Sequence, residues 1–96
     1  MPAKKRIVTL NGRRMDTRAH AHAYLKRKLK LPNWYGGNLD ALCDCLGEIN
    51  EPTVVLLRNA GRMKRALGDY GARLITVLSA MTGENPNIEL IVDDGF

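Results

Sequence analysis

Residues 53–57 read Thr53-Val54-Val55-Leu56-Leu57, a continuous run of β-branched and aliphatic side chains between Pro52 and Arg58. The run is too short for a buried helix, and it does not alternate polar with apolar as a half-solvated strand does. It reads as a strand covered on both faces, the pattern of a parallel sheet. Parallel strands cannot be joined by tight turns and need long crossovers. Helices and further strands are therefore expected on both sides of it.

Both sides supply them. Upstream, Arg6-Ile7-Val8-Thr9-Leu10 is rich in strand formers and stops at the turn signal Asn11-Gly12. Thr17 or Asp16 can cap a helix running to about Leu29, with Ala21, Tyr24, Leu25 and Leu29 on one stripe. Lys26, Arg27 and Lys28 fall on its solvated side. Pro32 stops that segment. Gly36 and Gly37 permit a tight loop with unusual dihedrals. Asn38 is a good N-cap for a second helix to about Glu48, whose buried stripe is Leu39, Leu42, Leu46 and Ile49. Downstream, a short helix is expected over 61–67 and a longer one over 70–82, the latter with Leu74, Ile75, Val77, Leu78 and Met81 as apolar positions. Residues 83–87, Gly-Glu-Asn-Pro-Asn, read as a turn, and Ile88–Val92 as a last strand. The order β-α-α-β-α-α-β predicts a single α/β domain over 1–96, a small three-stranded parallel sheet packed with about four helices.

Composition limits the function. The chain has 96 residues, 45% hydrophobic, which suits one globular core. No apolar run approaches the roughly 18 residues of a membrane span. The N-terminal Met-Pro-Ala-Lys-Lys-Arg is basic, but the apolar stretch behind it is too short for a signal sequence, so a cytoplasmic protein is expected. Cys43 and Cys45 stand two apart and would splay on a helix, so no disulfide between them is expected.

The formal net charge of +5 conceals a segregation. Residues 1–30 hold ten Lys/Arg and one acid, Asp16. Residues 31–57 hold four acids, Asp40, Asp44, Glu48 and Glu51, and no Lys or Arg. Residues 58–73 are basic again, and residues 74–96 carry four acids and no base. Asp40, Asp44 and Glu48 follow i, i+4, i+8 spacing, so they share one stripe turned away from the leucines. Like charges so spaced repel by a few tenths of a kcal/mol. An ordinary solvated helix face would interleave cations, and this one has none. Just before it lies a glycine-containing loop with two aromatics. Tyr35 either folds back onto the core or faces a partner, and the two readings stay open. Trp34, the single tryptophan, reads as a partner contact.

The run Leu31-Pro32-Asn33-Trp34-Tyr35-Gly36-Gly37-Asn38-Leu39-Asp40-Ala41-Leu42-Cys43-Asp44-Cys45-Leu46 resembles the LPxYYGxNLDALWDCL signature of the barstar family, intracellular inhibitors of bacterial ribonucleases. The resemblance implies the barstar-like fold and a function as inhibitor of a basic ribonuclease or ribonuclease-like toxin, as in immunity and toxin–antitoxin pairs. It implies no catalysis, cofactor or metal. In the family, the second helix and the preceding loop plug the nuclease active site. Carried over by position, Asp40 and Asp44 would mimic RNA phosphates, with Asp44 deepest. Trp34 matches a tyrosine that stacks in the site, and Gly36 and Asn38 match loop contacts. The implied partner surface is Trp34, Tyr35, Gly36, Asn38, Leu39, Asp40, Cys43, Asp44 and Glu48. Cys43 stands where the family has tryptophan, and Met81 stands at a carboxylate contact of the fourth helix, with Glu84 nearby. Such inhibitors are usually acidic, unlike this chain.

Two other functions compete. The basic first third, with Lys26-Arg27-Lys28-Lys30, would suit a nucleic-acid-binding module. Against it, the loop aromatics lie in the acidic segment, so stacking and basic groups are not interleaved. An enzyme would need Cys43, Cys45, His20 and His22 to act together, but Cys-x-Cys and His-x-His on helices splay their ligands. The two histidines read as surface and core-edge residues, and the chain is expected to be monomeric.

Overall fold

The computed structural model describes residues 5–94. Three strands, β1 (Arg6–Asn11), β2 (Thr53–Arg58) and β3 (Ile88–Val92), form one parallel sheet in the order β1-β2-β3. Helices α1 (Arg18–Lys28) and α2 (Leu39–Gly47) link β1 to β2, and α3 (Ala60–Leu67) and α4 (Asp69–Glu84) link β2 to β3. A 3-10 turn, Gly12–Arg14, precedes α1. The α/β architecture expected from the sequence is the one observed.

Thr17 caps α1, its hydroxyl accepting from the His20 amide at 3.1 Å. Asp16 is instead engaged by the His20 ring at 2.7 Å. The expected stripe of Ala21, Tyr24, Leu25 and Leu29 is buried. α4 runs two residues further than the turn at 83–87 allowed: Gly83 and Glu84 are helical, and the chain turns at Asn85.

One expectation is overturned. β2 is not covered equally on its two faces. Both crossovers step the chain in the same direction across the sheet, and right-handed crossovers then lay every helix on one side. Inward, Val8 pairs in register with Val55, and Leu10 with Leu57; all four are buried. Outward, the rows are Ile7–Val54–Glu89 and Thr9–Leu56–Ile91. Ile7 is 69% exposed and Ile91 53%, whereas Val54 and Leu56 are half-buried between their neighbours. The continuous apolar run thus reflects a central strand with one sealed face and one open face.

Gly12 sets the corner at the carboxyl end of β1. A Cβ there would meet the Asn59 carbonyl oxygen at 2.2 Å, so only glycine lets this turn close against the start of α3. Asn59, in the left-handed region at φ 56°, donates from Nδ2 to Asn11 Oδ1 at 2.9 Å. The two strand ends are thereby tied together.

Candidate functional site

Two asparagines hold α2. Asn38, extended at φ −140° and ψ 171°, accepts at Oδ1 from the Ala41 amide at 2.8 Å. This satisfies one of the first-turn donors, which otherwise lack partners. At the other end, buried Asn85 donates from Nδ2 to the carbonyls of Leu46 and Ile49, both at 2.9 Å. Leu42 and Leu46 are fully buried between these ends, and Cys45 joins them. Leu39 and Ile49 are only half-buried at the edges of the stripe. Of the two loop glycines, Gly37 alone takes a positive φ, 68°, and turns the chain into the cap.

The acidic stripe stands on the opposite side of this helix. Asp40 lies in the first turn, where the helix dipole favours a negative charge. Asp44 lies mid-helix, and Glu48 is the C-cap residue just beyond the last turn. All three are exposed. The ion pairs of the described residues lie elsewhere, at Lys5–Glu89, Arg6–Glu51, Asp16–His20 and Lys64–Asp94. Among the described residues no cation comes within 4.0 Å of Asp40, Asp44 or Glu48. Their field reaches inward: burial raises the Cys45 thiol above its ordinary value, and Glu48 and Asp44 raise it further. Both cysteines are free, Cys43 half-buried and Cys45 buried.

The loop aromatics separate. Trp34 is 66% exposed. Tyr35 turns inward and packs half-buried against the core. Its hydroxyl lies 2.5 Å from Nδ1 of His22, while the Tyr70 hydroxyl lies 2.6 Å from Nε2 of the same ring. Burial pushes the Tyr35 hydroxyl well above its usual range, so it stays protonated. His22, 5% exposed, therefore joins α1, the loop and α4 and is more than a core-edge residue. The signal was present in the sequence: at roughly 100° per residue, His22 falls beside Leu25 and Leu29 on the apolar stripe.

Gly36 and Asn38 are exposed beside Trp34 in sequence, whereas Leu39 and Cys43 are half-buried against the core. Met81 is buried, with Cε 3.6 Å from where a Cβ on Gly47 would sit, and so serves as packing under α2; Glu84 is exposed. An open depression of about 340 Å³ borders the candidate surface, with Trp34 and Glu48 on its rim and Arg6, Lys30 and Glu51 also lining it. It joins three separated segments, so no local pattern announces it. Among the described residues, no group of three His, Cys, Asp or Glu side chains is placed to hold a metal. No helix there is long and apolar enough to cross a membrane.

Comparison with known proteins places this geometry in a family context. A family model described as Barstar (barnase inhibitor) matches residues 5–93. YrdF of Bacillus subtilis (strain 168), provisionally named a ribonuclease inhibitor, is 36% identical over 74 residues, covering 76% of this chain and 81% of that protein.

Proposed function

The chain belongs to the barstar (barnase inhibitor) family, and on that premise we propose that it inhibits a ribonuclease or ribonuclease-like toxin by inserting the acidic face of α2 into the nuclease active site. The observation that carries this reading is the row Asp40, Asp44 and Glu48, exposed and without cation partners among the described residues. A ribonuclease site is lined by cationic donors that hold phosphates. Carboxylates set at helical spacing can accept charge-assisted hydrogen bonds from the same donors. Asp44, at the middle of the row, is the deepest mimic. Trp34 stacks in the site, and Gly36, Asn38 and Leu39 complete the contact. Cys43 offers a smaller surface than an aromatic would there.

The capped ends of α2 and the inward-tied Tyr35 hold the carboxylates in place before binding, which limits the ordering entropy lost on association. The net charge of +5 opposes long-range attraction to a basic nuclease. Steering then depends on orientation, with the acidic face alone attracting. The partner is read as a basic ribonuclease or ribonuclease-like toxin, and the protein as a cytoplasmic bacterial, non-catalytic, monomeric inhibitor without cofactor, of the kind found in immunity or toxin–antitoxin pairs.

The test is a pull-down from lysate of the source cell with wild type and with Asp40→Ala/Asp44→Ala, followed by RNA-cleavage assays on whatever is retained. A nuclease held and inhibited by wild type and released by the double variant supports the proposal. Equal retention and inhibition by both proteins removes the acidic face from the mechanism.

A further inference from the structure

Five of the nine arginines of this chain gather at one place on its surface. Two open grooves, of about 440 and 490 Å³, adjoin at the carboxyl end of β1. Arg13 and Asp16 line both. Arg14 and Arg27 line the first, and Arg62 and Arg65 the second. The surface therefore draws on the 3-10 turn and α1 and, far from both in sequence, on α3. Gly12 brings them together by letting the turn close on Asn59.

Among the described residues none of these five arginines forms an ion pair. The one carboxylate in the grooves, Asp16, is already engaged by His20 at 2.7 Å. The guanidinium groups of Arg14 and Arg27 lie 5.7 and 5.6 Å from the centroid of the Tyr24 ring. That ring is 9% exposed, so it supports the two cations from beneath and offers no face for a base to stack on. Planar guanidinium groups match phosphate in a paired, two-bond geometry. Among the described residues the exposed large apolar side chains are Ile7, Trp34, Ile91 and Val92, and none of them lines these grooves. The surface thus lacks the wedge needed to enter a membrane and the buried apolar centre typical of a protein interface.

We propose that this arginine surface binds the phosphodiester backbone of a nucleic acid, independently of base sequence and separately from the acidic face of α2. No residue of the grooves belongs to the α2 face. On α1, His22 points to the Tyr35 loop, roughly 180° around the helix from the His20–Arg27 stripe. A nucleic acid on one side therefore leaves the other side free for a protein.

The experiment uses the full chain with fluorescein-labelled RNA and DNA duplexes of one 16-base-pair sequence, read by anisotropy from 50 to 300 mM KCl. The logarithm of the binding constant falls linearly with that of salt, with a slope of roughly −0.9 per phosphate contacted. Arg62→Gln/Arg65→Gln and Arg13→Gln/Arg14→Gln are each expected to reduce that slope by roughly 1.8. Asp40→Ala/Asp44→Ala should not reduce it. A charge-matched control outside the grooves, Lys26→Gln/Arg73→Gln, separates a built surface from diffuse charge. Equal binding of RNA and DNA means that backbone alone is recognised, and preference for either names the source of the phosphates. The proposal fails if neither groove variant changes the slope, if the control changes it as much, or if poly-glutamate or phosphatidylserine vesicles bind as tightly as the duplexes. Circular dichroism melting of each variant excludes unfolding as the cause of lost binding.

Discussion

The hydroxyl of Tyr35 lies 2.5 Å from Nδ1 of His22, and this one hydrogen bond fastens the loop before α2 to the outer crossover helix α1. Neutral imidazole has one donor nitrogen and one acceptor nitrogen. His22 fills both by bonding Tyr35 on one side and Tyr70 on the other. Removing the Tyr35 hydroxyl leaves a buried ring nitrogen without its partner. Tyr35→Phe is expected to cost ~1–3 kcal/mol of folding stability, measured by urea unfolding. A variant as stable as wild type would mean that the loop is held by packing alone.

The same contact predicts a pH dependence. Burial lowers the His22 pKa below its ordinary 6.5, because the charged ring would lose its hydration. The unfolded chain takes up this proton first as pH falls. The contribution of His22 to stability is therefore complete above about pH 6.5 and is lost as pH falls through the lower, folded value. Asp16, whose pKa is lowered chiefly by its hydrogen bond to His20, acts only below its ordinary 3.8 and so outside this window. Urea midpoints at pH 7.5 and 5.0 should fall further for wild type than for His22→Gln. Parallel losses would assign the effect to other groups.

Asp44 and Leu46 separate binding from folding on one helix. Asp44 is exposed and unpaired, so Asp44→Ala should leave the unfolding midpoint nearly unchanged. If α2 is the inhibitory face, the same change should weaken nuclease affinity by at least ~2 kcal/mol, the usual threshold of an interface hot spot. Leu46 is fully buried. Leu46→Ala should cost ~2–5 kcal/mol of stability through the cavity it leaves. Calorimetric titration and urea unfolding of both variants test this division.

Asn85 holds the carboxyl end of α2 from another element. Asn85→Ala removes the donors to the Leu46 and Ile49 carbonyls and should destabilise the fold by ~1–3 kcal/mol. Hydrogen exchange should locate the loosening at the last turn of α2, whose amides would exchange faster than those near the Asn38 cap. Uniform acceleration across the helix would assign Asn85 to global stability instead.

Local patterns carried much of this structure. Asn38 was legible as a cap because a short side-chain acceptor before an apolar stripe has one local use. The acidic row was legible because i, i+4, i+8 spacing places residues on one helix face whatever surrounds it. Tyr35 was not, since its inward turn depends on His22, 13 residues before it, and on Tyr70, which bonds the same His22 ring from 48 residues further along the chain. The arginine grooves were concealed for the same reason. Arg62 and Arg65 belong to a segment that reads as separate from the basic N-terminal third until Gly12 and Asn59 meet.

The sequence by itself determined the three strands, the helices, the Asn38 cap, the segregation of charge and the family, because each follows from periodicity or from contiguous residues. Only the tertiary structure decided that all the helices cover one face of the sheet, that Tyr35 faces in while Trp34 faces out, and that Asn85 secures α2. It also decided that arginines from two distant segments share one surface. These outcomes depend on crossover handedness and on contacts between residues remote in the chain, which no local spacing encodes.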